Sequence, residues 1–191
     1  MAKKILDPAF FTQPAEELAK ALLGKIICTS VPDLPPVKLR IMETEAYPYM
    51  NYATHSTVYK TGNGFEAQNM AGGTIYVHDN NQNPHRGSGF DIVSGNKGQG
   101  ESVLIRGGIL LPSGEPIEGP DMVGRALNMY YEIFNKISLI ESDAIYLMED
   151  DYPIAQHAIY TNTRKNVPGP DPVENLDNTV DRKNELRFTL A

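Results

Sequence analysis

The chain has 191 residues, with 17 Lys+Arg against 24 Asp+Glu and a formal charge of −7. At 41% hydrophobic and 21% charged, it suits one globular domain spanning 1–191 with a core large enough to fold alone. The acidic balance works against nucleic-acid binding, which normally draws on a basic stripe to replace condensed counterions, so any such reading must overcome that deficit.

The N-terminal stretch MAKKILDPAFF is basic but has no apolar run long enough for a signal peptide, and no later segment reaches transmembrane length. A soluble protein without a membrane partner is expected. In TQPAEELAKALLGK, Thr12 can cap a helix, Pro14 suits its first turn, and Glu16 and Glu17 complement its positive end. Ala15, Leu18, Ala19, Leu22 and Leu23 fall on one face and Gly24 supplies the stop, which predicts a short amphipathic helix packed on a sheet. KIICTSV and VKLRIMETEAY then read as two strands joined by the turn PDLPP. Cys28, in the first of them, is the single cysteine. It excludes an internal disulfide framework and a multi-cysteine zinc site, which implies a reduced, cytoplasmic compartment, and it reads as a small buried hydrophobe. Strict alternation in the second strand would put Leu39, Ile41, Glu43 and Glu45 on one side.

From Asn51 to Gly73 the chain shows neither period and reads as a long ordered loop. GGTIYVHD is a predicted strand, NNQNPHRGSG a turn-rich tip, FDIVSG a returning strand, and ESVLIRGGILL a further strand of the same sheet. GPDMVGRALNM predicts a second helix, with Pro120 near its start and Val123, Ala126 and Leu127 inward. Short strands and loops follow, then the proline-rich acidic loop NVPGPDPVENLDN and a closing strand ELRFTLA. The pattern favours an α+β fold: a single mixed domain with a mostly antiparallel sheet and flanking helices.

Glu45 is the residue that needs explaining, because a glutamate near the inner end of an apolar strand must be solvated, paired or employed. A rim carboxylate paired with an arginine is the plain alternative. Tyr47, His55 and Arg106 suggest the other reading: aromatic and imidazole faces beside a carboxylate make a slot for a flat ring. The carboxylate can then take a proton from water aimed at that ring's bond to a sugar.

FFTQPAEELAKALLGKIICTS, LRIMETEAY, the histidine of ATHS, GGTIYV, SVLIRG, GPDMVGRALNM and the final LRF together resemble, in order and spacing, the alkyladenine (3-methyladenine) DNA glycosylases. The resemblance covers most of the chain and marks it as a divergent member. It implies a mixed domain with a curved antiparallel sheet, similar to the C-terminal domain of formyltransferases. It also implies a monomer acting without metal or cofactor on double-stranded DNA that contains alkylated purines. Such an enzyme flips the damaged nucleotide out of the duplex and hydrolyses its N-glycosidic bond. By the same resemblance Glu45 is the general base that activates water and Arg106 helps to hold that water, while Tyr47 and His55 sandwich and hydrogen-bond the flipped base.

This chain also departs from the family pattern. His78 stands where the family has an aromatic pocket residue, and Asp91 where it has an asparagine that screens against guanine's exocyclic amine. A carboxylate there would accept that amine, and beside Glu45 it would raise a carboxylate pKa if both were buried. The wedge that fills the gap in the duplex falls to Asn83, Pro84 or His85. Basic positions thin out, with Met122 replacing a lysine, which leaves Lys60, Arg86, Lys97 and Arg125 as candidate phosphate contacts. His78, Asp79, His85 and Asp91 match no metal-ligand spacing. Two alternatives stay open: a divergent member that binds DNA or a nucleobase without excision, and a hydrolase of small nucleosides.

Overall fold

The computed structural model describes residues 3–51, 54, 61–78, 87–150, 158–167 and 179–190. The chain enters through a one-turn helix, α1 (Pro8–Phe11), whose N-cap Asp7 accepts the Ala9 N–H. Thr12 closes this turn and does not cap the helix that follows. The second helix, α2 (Ala15–Leu22), starts at Pro14 without a local side-chain cap. Its Ala15 N–H instead donates to the buried carboxylate of Glu101, 3.0 Å away and 86 residues along the chain. The expected cap thus came from a strand. The apolar face is as the period predicts: Ala15, Leu18, Ala19 and Leu22 are buried, and each leucine contributes roughly 1.5–3 kcal/mol. Gly24, at φ 77°, ends the segment.

Beneath α2 lies a curled antiparallel sheet. Its strands are β1 (Ile26–Thr29), β2 (Val37–Tyr47), β3 (Ile75–Val77), β4 (Phe90–Ser94), β5 (Glu101–Leu111), β6 (Pro116–Glu118), β7 (Ile145–Met148), β8 (Ile159–Asn162) and β9 (Arg187–Leu190). The main path runs β3-β4-β5-β2-β1-β7, with β6 against β5 and with β9 pairing both β2 and β8. Helix α4 (Pro120–Ala126) presents Val123 to the core, as expected, and Leu127 follows it there, whereas Ala126 is only half-buried. Besides α1, two further short helices were not anticipated. In α3 (Gly62–Gln68) two glycines lower the intrinsic helix preference, and α5 (Tyr131–Phe134) is a single turn anchored by buried Phe134. Cys28 is buried in β1 with its Sγ 3.3 Å from Met148 Sδ, and burial pushes its thiol pKa up. Among the described residues no helix is long and apolar enough to cross a membrane.

The two longest strands change phase together. On β2, Leu39 and Ile41 face the core, but so do Thr44 and Ala46, and Thr44 Oγ1 donates to Ala19 O of α2 at 3.0 Å. On β5 the core positions are Val103 and Ile105, then Leu110, with Gly108 beneath the Leu39 side chain. The register is irregular between Ile41 and Thr44, where Met42 on one strand and Arg106 on the other are extra residues, and the pairing on either side stays in step. Gly107 and Gly108 make this possible, because a β-carbon on Gly108 would run into the Leu39 side chain. The consequence corrects the alternation argument. Glu43 and Glu45 do not share a face with Leu39 and Ile41, since the irregularity turns them to the opposite side of the sheet, away from α2.

Candidate active site

The face turned away from α2 collects the polar residues. Directly paired residues of antiparallel strands point to the same side. The pairs Tyr76 with Asp91, Asp91 with Leu104, Leu104 with Glu45, Tyr47 with Ser102 and Glu45 with Arg187 therefore lay one row of side chains across β3, β4, β5, β2 and β9.

Glu45 sits at the centre of this row with no solvent exposure. Its Oε1 accepts the Lys165 backbone N–H at 2.7 Å. Its Oε2 accepts Tyr47 Oη at 3.1 Å and Arg106 Nη1 at 3.3 Å. Burial pushes the Glu45 pKa above the ordinary carboxylate value, and the donors from Lys165, Arg106 and Tyr47 only partly offset this. Arg106, itself buried, also lies with Nε 3.4 Å from Glu43 Oε1, an oxygen that accepts Arg187 Nη1 at 3.0 Å. Two carboxylates and two guanidiniums thus interlock along the bulged part of β2 and β5.

Arg164 is a residue the sequence reading did not single out. It is 6% exposed, and it donates to Ala46 O at 3.1 Å, Asn51 Oδ1 at 3.2 Å and Asp181 O at 2.6 Å. Its guanidinium carbon lies 4.9 Å from the centre of the Tyr47 ring, covering one face of it. Tyr47 is pinned by this stacking and by its bond to Glu45. Burial, followed by the nearby Glu45 and Asp91 charges, drives its phenol pKa far up, so the hydroxyl remains a donor.

The second cluster lies two strands away, about 9.5 Å by the ordinary strand spacing. Asp91, 4% exposed, places Oδ1 2.9 Å from His78 Nε2, and its Oδ2 accepts the Ser102 hydroxyl at 2.7 Å. Gln68 of α3 donates to Ser102 Oγ at 2.8 Å and closes the chain. Burial works against a charged His78 ring, but Asp91 and, beyond it, Asp121 outweigh this and hold the imidazole pKa above its ordinary value. The ring packs 5.1 Å from Tyr76, tilted by 48°. One expectation is corrected here. Burial lifts Glu45, whereas Asp91 is among the charges acting on Tyr47.

The structure therefore brings Glu45, Tyr47 and Arg106 into direct contact and pairs His78 with Asp91. Arg125 stands on α4, outside both clusters, with Nη1 3.5 Å from Met122 Sδ, and Lys97 is exposed in the β4–β5 turn. His55, Lys60, Asp79, Asn83, Pro84, His85 and Arg86 lie outside the described residues. Besides Arg164, the reading missed Ser102, Gln68 and the Lys165 N–H. All three are set by register and loop placement, and no residue pattern announces them.

A buried carboxylate held by a guanidinium, beside an aromatic ring and a histidine–aspartate pair, is an arrangement able to accept a proton and to face a flat ligand. Comparison with known proteins narrows the class. Residues 9–173 match the family model described as methylpurine-DNA glycosylase, and the chain belongs to that family. A Borreliella afzelii protein, provisionally named 3-methyladenine DNA glycosylase, is 32% identical over 154 residues, covering 74% of this chain and 77% of its own length. The Mus musculus DNA-3-methyladenine glycosylase is 32% identical over 124 residues, covering 64% of this chain and 34% of its own. A Chlorobium luteolum protein, provisionally named like the Borreliella one, reaches 36% identity over 118 residues, covering 60% of this chain and 54% of its own.

Proposed function

We propose that this protein is a DNA glycosylase that hydrolyses the N-glycosidic bond of an alkylated purine after the nucleotide has been flipped from the duplex. The observation that carries this reading is the environment of Glu45. A carboxylate offers about four lone-pair positions, and Lys165, Tyr47 and Arg106 occupy three of them. The remaining one can hold a water molecule. The raised pKa makes Glu45 a stronger base than a surface carboxylate, and the fixed donors keep it oriented.

In the reaction that follows, the water oxygen attacks the anomeric carbon, its proton passes to Glu45, and the bonding pair of the carbon–nitrogen bond leaves with the purine. An alkylated purine is already cationic and departs neutral, so no further acid is required. The Tyr47 face not covered by Arg164 offers a π surface to such a cation. Arg106, anchored between Glu43 and Glu45, keeps the water-holding geometry while the charge on Glu45 changes.

Glu45→Gln tests this. Excision from a duplex carrying 3-methyladenine or 7-methylguanine is expected to fall by about 10²–10⁴-fold, the usual range for a positioned general base, with binding to an abasic-analogue duplex retained. Excision at the wild-type rate would remove Glu45 from the mechanism. The net charge of −7 favours one rival, hydrolysis of small nucleosides. Turnover of free methylated nucleosides, with none on DNA, would put that activity in its place.

A further inference from the structure

A cleft of about 470 Å³ opens beside β8 and the 3-10 turn Asp181–Lys183, and Thr163, Arg164, Asn166, Thr179, Arg182 and Lys183 line it. Three features single it out in an acidic protein. Several surface cations elsewhere are neutralised: Lys20 pairs with Glu16, Lys25 with Glu149, Arg40 with Asp150 and Lys136 with Glu66. Arg182 and Lys183 are exposed, and among the described residues neither is ion-paired. The cleft wall also contains a buried donor in need of an acceptor, because Arg164 is 6% exposed and its Nε has no hydrogen-bond partner among the described residues. Finally, the cleft is one peptide away from Glu45. Arg164 and Asn166 line it, and the residue between them, Lys165, donates its N–H to the Glu45 carboxylate.

We infer that this cleft binds phosphodiester oxygens, and that its ligand is the backbone of the DNA strand that carries the flipped nucleotide. The chemistry fits. Two cations without an ion-pair partner among the described residues and two hydroxyls, with amide and guanidinium donors beside them, make an anion site, and a nucleotide whose sugar carbon faces Glu45 must place its own phosphates close by. This rests on the glycosylase reading and supplies what the sequence lacked, a basic contact surface compensating for the overall charge of −7. The expected phosphate contacts Lys97 and Arg125 do not line this cleft.

The test is the salt dependence of binding to a fluorescent duplex carrying a tetrahydrofuran abasic analogue, measured for wild type, Arg182→Ala/Lys183→Ala and Arg182→Glu/Lys183→Glu. Each lost phosphate contact reduces the slope of log K against log salt by about 1. The alanine pair should therefore lower it by about 1–2 and weaken binding about tenfold or more at low salt, with the glutamate pair weaker still. The matched control Lys20→Ala/Lys25→Ala, on the α2 side, should keep the wild-type slope. Thermal melting confirms that each variant is folded. A sloped wild type with unchanged variants, or an equal loss in the control, overturns the cleft assignment alone. A flat wild-type slope overturns the glycosylase reading and this inference with it. A free 5′-mononucleotide that binds as tightly as the duplex, and loses affinity in the alanine pair, would make the ligand a nucleotide and overturn the DNA-backbone assignment.

Discussion

Glu45 and Asp91 are both carboxylates, 0% and 4% exposed, on one face of the sheet with Leu104 between them, yet their surroundings differ in kind. Glu45 is held by a guanidinium, a phenol and a backbone amide, none of which can take a proton from it or give it one near neutral pH. Asp91 is held by a hydroxyl and an imidazole whose own charge depends on pH. One carboxylate is thus held by donors whose charge is fixed near neutral pH, and the other faces a ring whose charge is not. Burial alone does not decide what an acid does; its donors do. Tyr47 joins the two halves, since both carboxylates act on its phenol.

The comparison can be broken from either end. Arg106→Ala should have the largest effect on stability, because it strips a buried cation from Glu45 and Glu43 at once. Removing one partner of a buried ion pair costs about 3–5 kcal/mol, so the urea midpoint should fall accordingly, with excision lost, while the His78 titration followed by NMR stays in place. A shifted His78 titration would mean that the halves are not independent. Gly124→Ala attacks the other end. A β-carbon there would run into the Ser88 carbonyl, on the segment where Gly89 O accepts the His78 N–H. Overpacking of this kind costs about 1–3 kcal/mol. It should move the His78 titration and leave the Glu45-dependent rate at saturating substrate largely intact.

Several of these features could be read in advance. The eleven residues Val37–Tyr47 were legible as a strand because apolar and polar residues alternate there, and α2 because its apolar positions repeat at helical spacing. Glu45 stood out as a charge at the inner end of an apolar strand. Its face could not be read, because a paired irregularity leaves only one trace in sequence, the Gly107–Gly108 doublet opposite Ile41 and Glu43. Helix α3 was hidden by Gly62 and Gly64, whose low intrinsic preference is overruled by the packing of Ala67 and Gln68. Arg164 lies in YTNTRKNV, where nothing distinguishes an arginine that stacks on a tyrosine from one that waves in solvent. The pairing of His78 with Asp91 follows from the β3–β4 register, so it had to wait for the fold.

The smallest expected effect is also the sharpest comparison, because the two halves should titrate in different windows. Glu45 has a raised pKa in the folded state, so the folded protein holds its proton more tightly than the unfolded chain does. Its contribution to stability is full below the ordinary value of 4.5 and is lost as pH rises from there through the folded pKa, at about 1.4 kcal/mol per pH unit. His78 is raised as well, but its contribution is full below 6.5 and declines only above that pH. Its ring is 38% exposed and screened by solvent, which limits the effect to about 0.5 kcal/mol. Urea midpoints measured from pH 4 to pH 9 should therefore show Glu45→Gln removing the acidic decline alone and Asp91→Asn flattening the decline above pH 6.5 alone. If Asp91→Asn instead altered the acidic window, Asp91 would be acting on Glu45 directly, and the division of the face into two independent carboxylates would have to be abandoned.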